Sequence, residues 1–525
     1  MLQILRRTTG PLGRRGDPAF RVRRMIRQLL VRVESYSRKR LLLTLAGLFA
    51  VCHAAYYLAG VRFDDSLLPY SMSILDLELL RHRMAQSIFY LHVQPPLFNL
   101  FTGLLLKVLP GHVTLAFNVC YVVLGFILYW ALFALMRTVG VSGGLALGLS
   151  TWFMASPSFV LYEHWVFYTF MGATLLTLSI FMFYRVIDEG TPRQAVSFFG
   201  VLFLMGALQS MFHLIYYSSA MAFALIAQPR RGKMIVLTAL LPLVLLTSVY
   251  AKNFLVFGKF TASTWLGMNF SASTVRAMPM EERRQLVAQG QLSPLALIPR
   301  FSPLSEYPKE YVELPGFEHV PALRQLTRST GHNNYNHLAY IGLCEQYLAD
   351  DLYIVAHRPK TLLVGLLNAW LCYFRSGSDY PFLYGNLDRI GFVNCLYDYL
   401  FYGKVPHYRV HSSRIPIYYA PGAEPRIYLF LIIGLPLLVW YGLRVGIKGD
   451  ATSPALTRSQ RMLVLYACFN IVYVALVGNL FEVSENHRFR FVTDPLYVML
   501  CGLMIQRWAL PRAASVLGKS ACQSG

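Results

Sequence analysis

The stretch LLLTLAGLFAVCHAAYYLAGVRFDD, residues 41–65, contains the pattern on which the fold depends. Residues 41–60 form an apolar run of roughly the 20 residues that a helix needs to cross a bilayer. Asp64 and Asp65 follow this run directly. Similar apolar runs recur along the 525 residues, of which 55% are hydrophobic, and the mean hydropathy is +0.45. The sequence therefore predicts an all-α, multi-pass membrane protein.

Basic residues allow the spans to be arranged, because Lys and Arg favour the cytoplasmic side of short loops. They collect in the first 40 residues and in the loops near Arg137, Arg230 and Arg444. About ten crossings, with both termini inside, place all these clusters on one side. The predicted spans are 41–60, 112–136, 143–161, 165–187, 195–211, 212–227, 234–257, 427–445, 462–481 and 492–508.

Two apolar runs, 95–111 and 361–374, are too short to cross and are predicted to be helices at the outer interface. The predicted organisation is a basic cytoplasmic tail (1–40), a membrane module (41–257) with its first outer loop at 61–111, a mixed extracytoplasmic loop domain (258–424), C-terminal membrane helices (425–510) and a cytoplasmic tail (511–525). The net charge of +22 fits this topology and anionic lipid headgroups better than nucleic acid.

The first outer loop concentrates residues that could carry chemistry. Asp64 and Asp65 are either a solvated helix cap or a general base or metal ligand at the membrane surface. Residues 74–91 have helical apolar spacing and predict one amphipathic helix that carries Asp76 on its polar side. His92 and Gln94 precede Pro95-Pro96, where the alternatives are a structural histidine and a donor to a lipid phosphate.

Two later segments are predicted to reach the same side. Glu163 and His164 are predicted to form an outer turn between the third and fourth spans. This turn is either a solvated loop tip or part of the site. The predicted outer loop between the last two spans contains Glu485, Arg488 and Arg490. Arginine is disfavoured on the outer side of a membrane, so the two arginines are candidates for a function there. An extended turn would place both arginines on one side for phosphate binding, and the alternative is an internal Glu–Arg salt bridge.

In order, these motifs resemble those of the GT-C fold glycosyltransferases that use polyprenyl-phosphate sugars. The closest similarity is to family 39, the protein O-mannosyltransferases, and to the aminoarabinose transferases. It covers roughly 41–257 and, weakly, 462–500. The motifs are Asp64-Asp65, the segment from His92 to Leu97, Glu163, and the E-x-x-R…P segment of Glu485, Arg488 and Pro495. This chain has Asp-Asp where the mannosyltransferases have Asp-Glu, and Gln94 where the aminoarabinose enzymes have a lysine.

The resemblance implies a seven-helix module with an outward-facing cavity, a lipid-phosphate sugar donor, and Asp65 or Asp64 as catalytic base, with Asp76 next. Because Gln94 replaces the lysine, Arg488 or Arg490 is expected to hold the lipid phosphate. We expect an inverting membrane glycosyltransferase of a bacterial inner membrane that faces the periplasm and acts on a glycan, lipid or protein acceptor. A divalent cation is left open as a cofactor. The alternatives are a transporter or flippase, and a polymerase or ligase of lipid-linked glycans.

Overall fold

The computed structural model describes residues 33–405, 427–449 and 455–509, and these are mostly helical. Within them the only strands are β1 (Lys404–Val405) and β2 (Ile427–Tyr428), which pair antiparallel. The all-α prediction is confirmed. Most of the basic N-terminal tail, the end of the predicted loop domain and the tail 511–525 lie outside the described residues.

The described α-helices are, in chain order, α1 (Arg38–Leu58), α2 (Leu77–His82), α3 (Met84–Phe89), α4 (Leu97–Val108), α5 (Val113–Thr138), α6 (Gly143–Met154), α7 (Pro157–Glu163), α8 (Tyr168–Asp188), α9 (Pro192–Leu208), α10 (Leu214–Ala227), α11 (Gly232–Phe257), α12 (Leu266–Phe270), α13 (Met280–Ala288), α14 (Lys309–Val312), α15 (Pro321–Arg324), α16 (Ala339–His357), α17 (Pro359–Tyr373), α18 (Tyr384–Leu387), α19 (Gly391–Tyr402), α20 (Leu429–Lys448), α21 (Arg458–Phe481) and α22 (Asn486–Met504).

Six of the described helices are long and apolar enough to cross a membrane: α1, α5, α8, α11 with the turn before it, α20 and α21. The number rises to seven if α6 and α7 form one bent span. The prediction of ten spans was therefore too high. Helices α9 and α10 have only 17 and 14 residues, and α22 carries Arg488, Arg490 and Asp494 in a helix of 19 residues.

Local sequence explains where the predicted span 143–161 is broken and where α9 and α10 are separated. Ser156 caps α7 and Pro157 begins it, and because proline cannot continue a preceding helix, α6 and α7 meet at a bend of 59°. Gln209 is extended at the end of α9, and the His213 side chain accepts the backbone N–H of Ile215 at the start of α10. A turn at Gln209–His213 therefore separates two short helices, α9 and α10.

The first outer loop contains no single amphipathic helix over residues 74–91. Asp76 is the N-cap of α2, whose six residues end at His82, and α3 starts at Met84 after Arg83, whose φ of −132° and ψ of 38° are not helical. The runs at 95–111 and 361–374 do form short helices, α4 and α17. Local capping therefore overrides the helical spacing of the apolar residues.

The buried centre of the protein is built on α8 and α22. Helix α8 packs on α5, α9, α21 and α22, and α22 also packs on α6, α17 and α20. The two predicted outer regions are joined by Arg328, which donates hydrogen bonds to the carbonyl oxygens of Pro69, Ser71 and Met72 over 2.8–3.2 Å. Residues 61–111 and 258–405 therefore pack against each other.

Candidate functional site

A cavity of about 650 Å³ lies where these two regions meet the ends of the membrane helices. Its walls come from the segments after α1, before α8, between α9 and α10, after α11, and between α21 and α22. All of these segments were predicted to lie on the outer side. The volume is typical of a site for a small or amphipathic ligand. Aromatic side chains line much of the wall, including Tyr70, Trp165, Phe167, Tyr250, Trp265, Phe301, Tyr380 and Phe489.

One charged pair on the cavity wall is Arg488 with Glu485. The Arg488 guanidinium carbon lies 4.7–5.6 Å from the ring centroids of Phe167, Tyr168, Tyr380 and Phe489. The guanidinium donates to Thr169 Oγ1 at 3.1 Å and to Glu485. Glu485 is 26% exposed and also accepts the Tyr380 hydroxyl at 3.1 Å. The arginine is therefore held in one orientation, which suits recognition of a phosphate.

A second pair, Arg300 with Glu482, lines the same cavity. The two guanidinium nitrogens reach the two carboxylate oxygens at 2.7 and 3.2 Å, and the side chains are 11% and 15% exposed. Burial raises the pKa of the Glu482 carboxyl, although Arg300 opposes the shift. Sequence reasoning missed Arg300, because its partner is 182 residues away and no local pattern marks it.

Unusual backbone conformations lie next to both members of this pair. Phe301, beside Arg300, has φ 58°, and Ser484, two residues after Glu482, has φ 117°. Asn486 holds the turn: its side-chain oxygen accepts the Ser484 N–H at 3.0 Å and its amide donates to the Glu482 carbonyl at 2.8 Å. Positive φ at non-glycine residues is costly and tends to occur at functional sites.

Of the predicted site residues, Gln94, Glu485 and Arg488 line the cavity. Asp64 and Asp65 are not among its lining residues. Asp64 Oδ1 accepts the N–H and hydroxyl of Ser66, and Asp65 Oδ2 accepts the Thr114 hydroxyl at 2.7 Å. The Asp64 backbone forms hydrogen bonds with the backbone of His164 and of Val166, so this segment supports the cavity wall without lining the cavity.

Asp76 and His92 are structural in this fold. The Asp76 carboxylate accepts the N–H and hydroxyl of Ser329 at 2.7 and 2.6 Å, in addition to capping α2. The His92 ring is fully buried between Thr264 and Asn336, at 2.8 and 3.1 Å. Burial lowers the pKa of His92 to about 3, so the ring is neutral. Both ring nitrogens are engaged by Thr264 and Asn336, and His92 is not among the residues that line the cavity, so it does not serve as a donor there.

Glu163 and His164 do not form the predicted exposed turn. Glu163 is the last residue of α7 and is 1% exposed, with Oε2 2.5 Å from His53 Nε2. Glu163 Oε1 has no hydrogen-bond partner among the described residues. His164 hydrogen-bonds the Val160 carbonyl at 2.9 Å. His53 was not selected from the sequence. The feature that marks it is its position inside an apolar run, because an ionisable side chain there needs a buried polar partner.

Arg490 does not share a side with Arg488. Residues 486–504 are helical instead of extended, and two positions along an α-helix are about 200° apart. Arg490 is 1% exposed and donates to Asp494 at 3.1 Å and to the Tyr373 carbonyl at 2.9 Å. It anchors α17 to α22, and of the two arginines Arg488 is the one that lines the cavity.

No cluster of three or more metal-ligating side chains is found among the described residues. No protein-family model matches the chain, and a comparison with curated proteins found no match. The apolar and aromatic walls of the cavity suit a lipid chain, and its two arginine–glutamate pairs offer cations for an anionic headgroup and carboxylates for proton transfer.

Proposed function

We propose that this protein is a membrane glycosyltransferase of the GT-C type, which moves a sugar with inversion from a polyprenyl-phosphate donor to a glycan, lipid or protein acceptor outside the cytoplasm. The observation that carries the proposal is Arg488, fixed by four aromatic rings and a glutamate on the wall of an apolar cavity. A guanidinium in that setting fits a lipid phosphate. The cavity would open towards the periplasm of a bacterial inner membrane.

In the proposed reaction the acceptor oxygen attacks the anomeric carbon of the sugar. The bond between that carbon and the phosphate oxygen breaks, and its electron pair leaves with the polyprenyl phosphate. Arg488 stabilises the charge that develops on the leaving phosphate. Glu485 takes the acceptor's proton, because it is a partly exposed carboxylate on the cavity wall. This assignment replaces Asp65, which is not among the residues that line the cavity and whose carboxylate accepts the Thr114 hydroxyl.

The test is sugar transfer in proteoliposomes with labelled polyprenyl-phosphate sugars and a panel of glycan, lipid and peptide acceptors. Arg488→Gln should reduce turnover at least about a hundredfold, since removing one oriented stabilising group costs about 10²–10³ in rate. Glu485→Gln should reduce kcat, and Asp65→Asn serves as the matched carboxylate control with turnover near that of the wild type.

Three outcomes would contradict the proposal in different ways. Loss of turnover in Asp65→Asn, with Glu485→Gln active, would show that the catalytic base is Asp65 in the first outer loop and not Glu485. Full activity of Arg488→Gln would reject the phosphate-binding role of Arg488. No turnover of any donor by folded wild-type protein would reject the enzyme class.

A transporter or flippase is the second candidate, and the buried His53–Glu163 pair favours it. Ionisable residues inside membrane helices are costly and commonly carry protons or substrate. Glu163→Gln should then abolish movement of a fluorescent lipid-linked substrate, or of protons, across a liposome bilayer. Unchanged flux in that variant, together with sugar transfer by the wild type, would reject transport.

A further inference from the structure

Gln209 is a buried glutamine on the cavity wall whose side-chain oxygen has no partner. The residue is 5% exposed and lines the cavity. Its Oε1 accepts no hydrogen bond from any other residue that the structure describes. A buried acceptor without a donor costs free energy, so such groups are rare in folded proteins. On the wall of a cavity this acceptor is explained if the ligand supplies the missing donor.

The turn that carries Gln209 is held in one conformation by its surroundings. The Phe212 N–H donates to the Gln209 carbonyl at 3.1 Å, and the Tyr473 hydroxyl donates to the Met211 carbonyl at 2.7 Å. Gly206 permits the close return of the chain, because a Cβ there would lie 2.8 Å from the Phe212 carbonyl oxygen. The position of Gln209 is therefore set before a ligand binds, which lowers the cost of binding.

Two helices place Gln209 Oε1 about one helical turn from the contact of Arg488 with α8. Arg488 of α22 donates to Thr169 Oγ1 of α8 at 3.1 Å. Gly172 follows Thr169 by three positions and Val492 follows Arg488 by four, which is about 5 Å along each helix. A Cβ built on Gly172 would lie 3.7 Å from Gln209 Oε1 and 4.0 Å from both methyl carbons of Val492. Gln209 and Arg488 are therefore close enough to contact neighbouring groups of one headgroup.

We infer that Gln209 accepts a hydrogen bond from a hydroxyl of the sugar on the donor lipid, and so selects donors that carry a hydroxyl at that position. The inference rests on the proposed function for the phosphate at Arg488 and adds recognition of the sugar. An ionised phosphate offers only acceptor oxygens, so it cannot satisfy Gln209 Oε1, whereas a hydroxyl can. The sugar is bonded directly to the phosphate, so its hydroxyls are the ligand's donors nearest to Arg488.

Gln209→Met distinguishes a ligand-binding glutamine from a structural one. Methionine has a similar length, and it removes the unpaired acceptor from the cavity wall. The thermal unfolding midpoint of the empty protein should therefore rise, since a buried unpaired polar group is lost. A glutamine that only supports the fold would give a lower midpoint.

The binding test uses the full-length protein in lipid nanodiscs and farnesyl phosphate esters of glucose, galactose, mannose and arabinose. The cyclohexyl ester of farnesyl phosphate is the reference, because it has the same charge and no hydroxyl on its ring. The wild type should bind at least one sugar ester about two- to tenfold more tightly than the cyclohexyl ester, as one added hydrogen bond provides. Gln209→Met should lose that factor for the sugar ester and bind the cyclohexyl ester as the wild type does.

Gln228→Met is the matched control. Gln228 also follows the last residue of a short helix, α10, but its amide donates to the Ile187 carbonyl and it is not among the cavity-lining residues. This variant should have a lower unfolding midpoint, because a satisfied hydrogen bond is removed, and it should bind every ester as the wild type does.

The outcomes separate this inference from the proposed function. Unchanged binding of every ester by Gln209→Met overturns the sugar contact and leaves the phosphate site at Arg488 intact. An equal loss for the sugar and cyclohexyl esters also overturns the sugar contact, because the amide would then act on the phosphate or on the shape of the cavity. Binding of no ester by folded wild-type protein overturns the proposed function and this inference together.

If Gln209→Met does not fold, Gln209→Asn decides the question. Asparagine keeps the amide but is one methylene shorter, so its oxygen is withdrawn from the ligand. It should lower the affinity for the preferred sugar ester severalfold and leave the affinity for the cyclohexyl ester unchanged. Equal affinity of Gln209→Asn and the wild type for the sugar ester would overturn the inference.

Discussion

Gly125 is the residue whose lack of a side chain allows Glu163 to be buried. A Cβ at this position would lie 1.7 Å from Glu163 Oε1 and 2.7 Å from its carboxyl carbon. Gly125→Ala should therefore displace the carboxylate from His53 and lower the free energy of unfolding by about 1–3 kcal/mol, as overpacking does. The measurement is the thermal unfolding midpoint of the purified protein.

The control is Gly148→Ala on α6, because a Cβ there meets nothing within 4 Å. Alanine also has the better helix propensity, so this variant should be neutral or slightly more stable. Equal behaviour of the two variants would show that the space beside Gly125 is not restrictive.

Asp351, on α16, should make stability depend on pH. It is fully buried, accepts the Thr274 hydroxyl at 2.5 Å, and faces Asp350 and Arg300. Burial raises its pKa from 3.8 to about 8, so the folded protein favours the protonated carboxyl. The stabilisation is then complete below about pH 4 and is lost as the pH rises through about 8, by up to about 1.4 kcal/mol per pH unit.

Asp351→Asn removes this titration while it keeps the shape and a hydrogen-bonding oxygen. The unfolding midpoint of the wild type, measured relative to that of Asp351→Asn, should fall between about pH 4 and about pH 8. A constant difference over that range would show that Asp351 is ionised in the folded protein.

At the scale of elements, the junction between α21 and α22 determines the site, because it holds Glu482, Glu485 and Arg488 in one arrangement. Ser484 at φ 117° is the strained position of this turn. Ser484→Gly should relieve the strain and raise the free energy of unfolding by about 1 kcal/mol, since glycine adopts positive φ without steric cost. Chemical denaturation of the purified protein would measure the change.

Ser271→Gly gives the matched comparison. Its φ of −58° is ordinary for any residue, and its hydroxyl donates to the Met268 carbonyl at 2.8 Å. Glycine there adds backbone freedom and removes the hydrogen bond, so the variant should be less stable. A loss of stability in both variants would mean that the Ser484 side chain contributes more than its backbone conformation costs.

At the scale of the whole molecule, the predicted sidedness can be tested with native cysteines. Cys395, on α19 in the predicted outer region, is exposed. Cys522 lies outside the described residues, in the tail predicted to be cytoplasmic. A membrane-impermeant maleimide should label Cys395 in intact cells and Cys522 only after permeabilisation. Loss of the intact-cell signal in Cys395→Ser is the control, and labelling of Cys522 in intact cells would reject the topology.

The helices and their approximate positions along the chain could be predicted from sequence, because apolar runs and prolines affect the conformation of the residues next to them. The segments predicted to lie outside meet at one cavity, and three of the candidate site residues, Gln94, Glu485 and Arg488, are among the residues that line it. The number of spans was overestimated where local capping and charge shortened or interrupted a run, as in α9, α10 and α22.

Sequence alone determined that this is an all-α chain with repeated membrane-type helices and charges gathered between them, since composition and apolar periodicity need no knowledge of contacts. Tertiary structure decided which charges face the cavity. Arg488 and Arg490 separate because the segment is helical, and Arg300 reaches Glu482 across 182 residues of chain. His53 and Glu163 meet only when α1 and α7 pack together. Such pairings depend on side-chain direction and long-range packing, which no local pattern encodes.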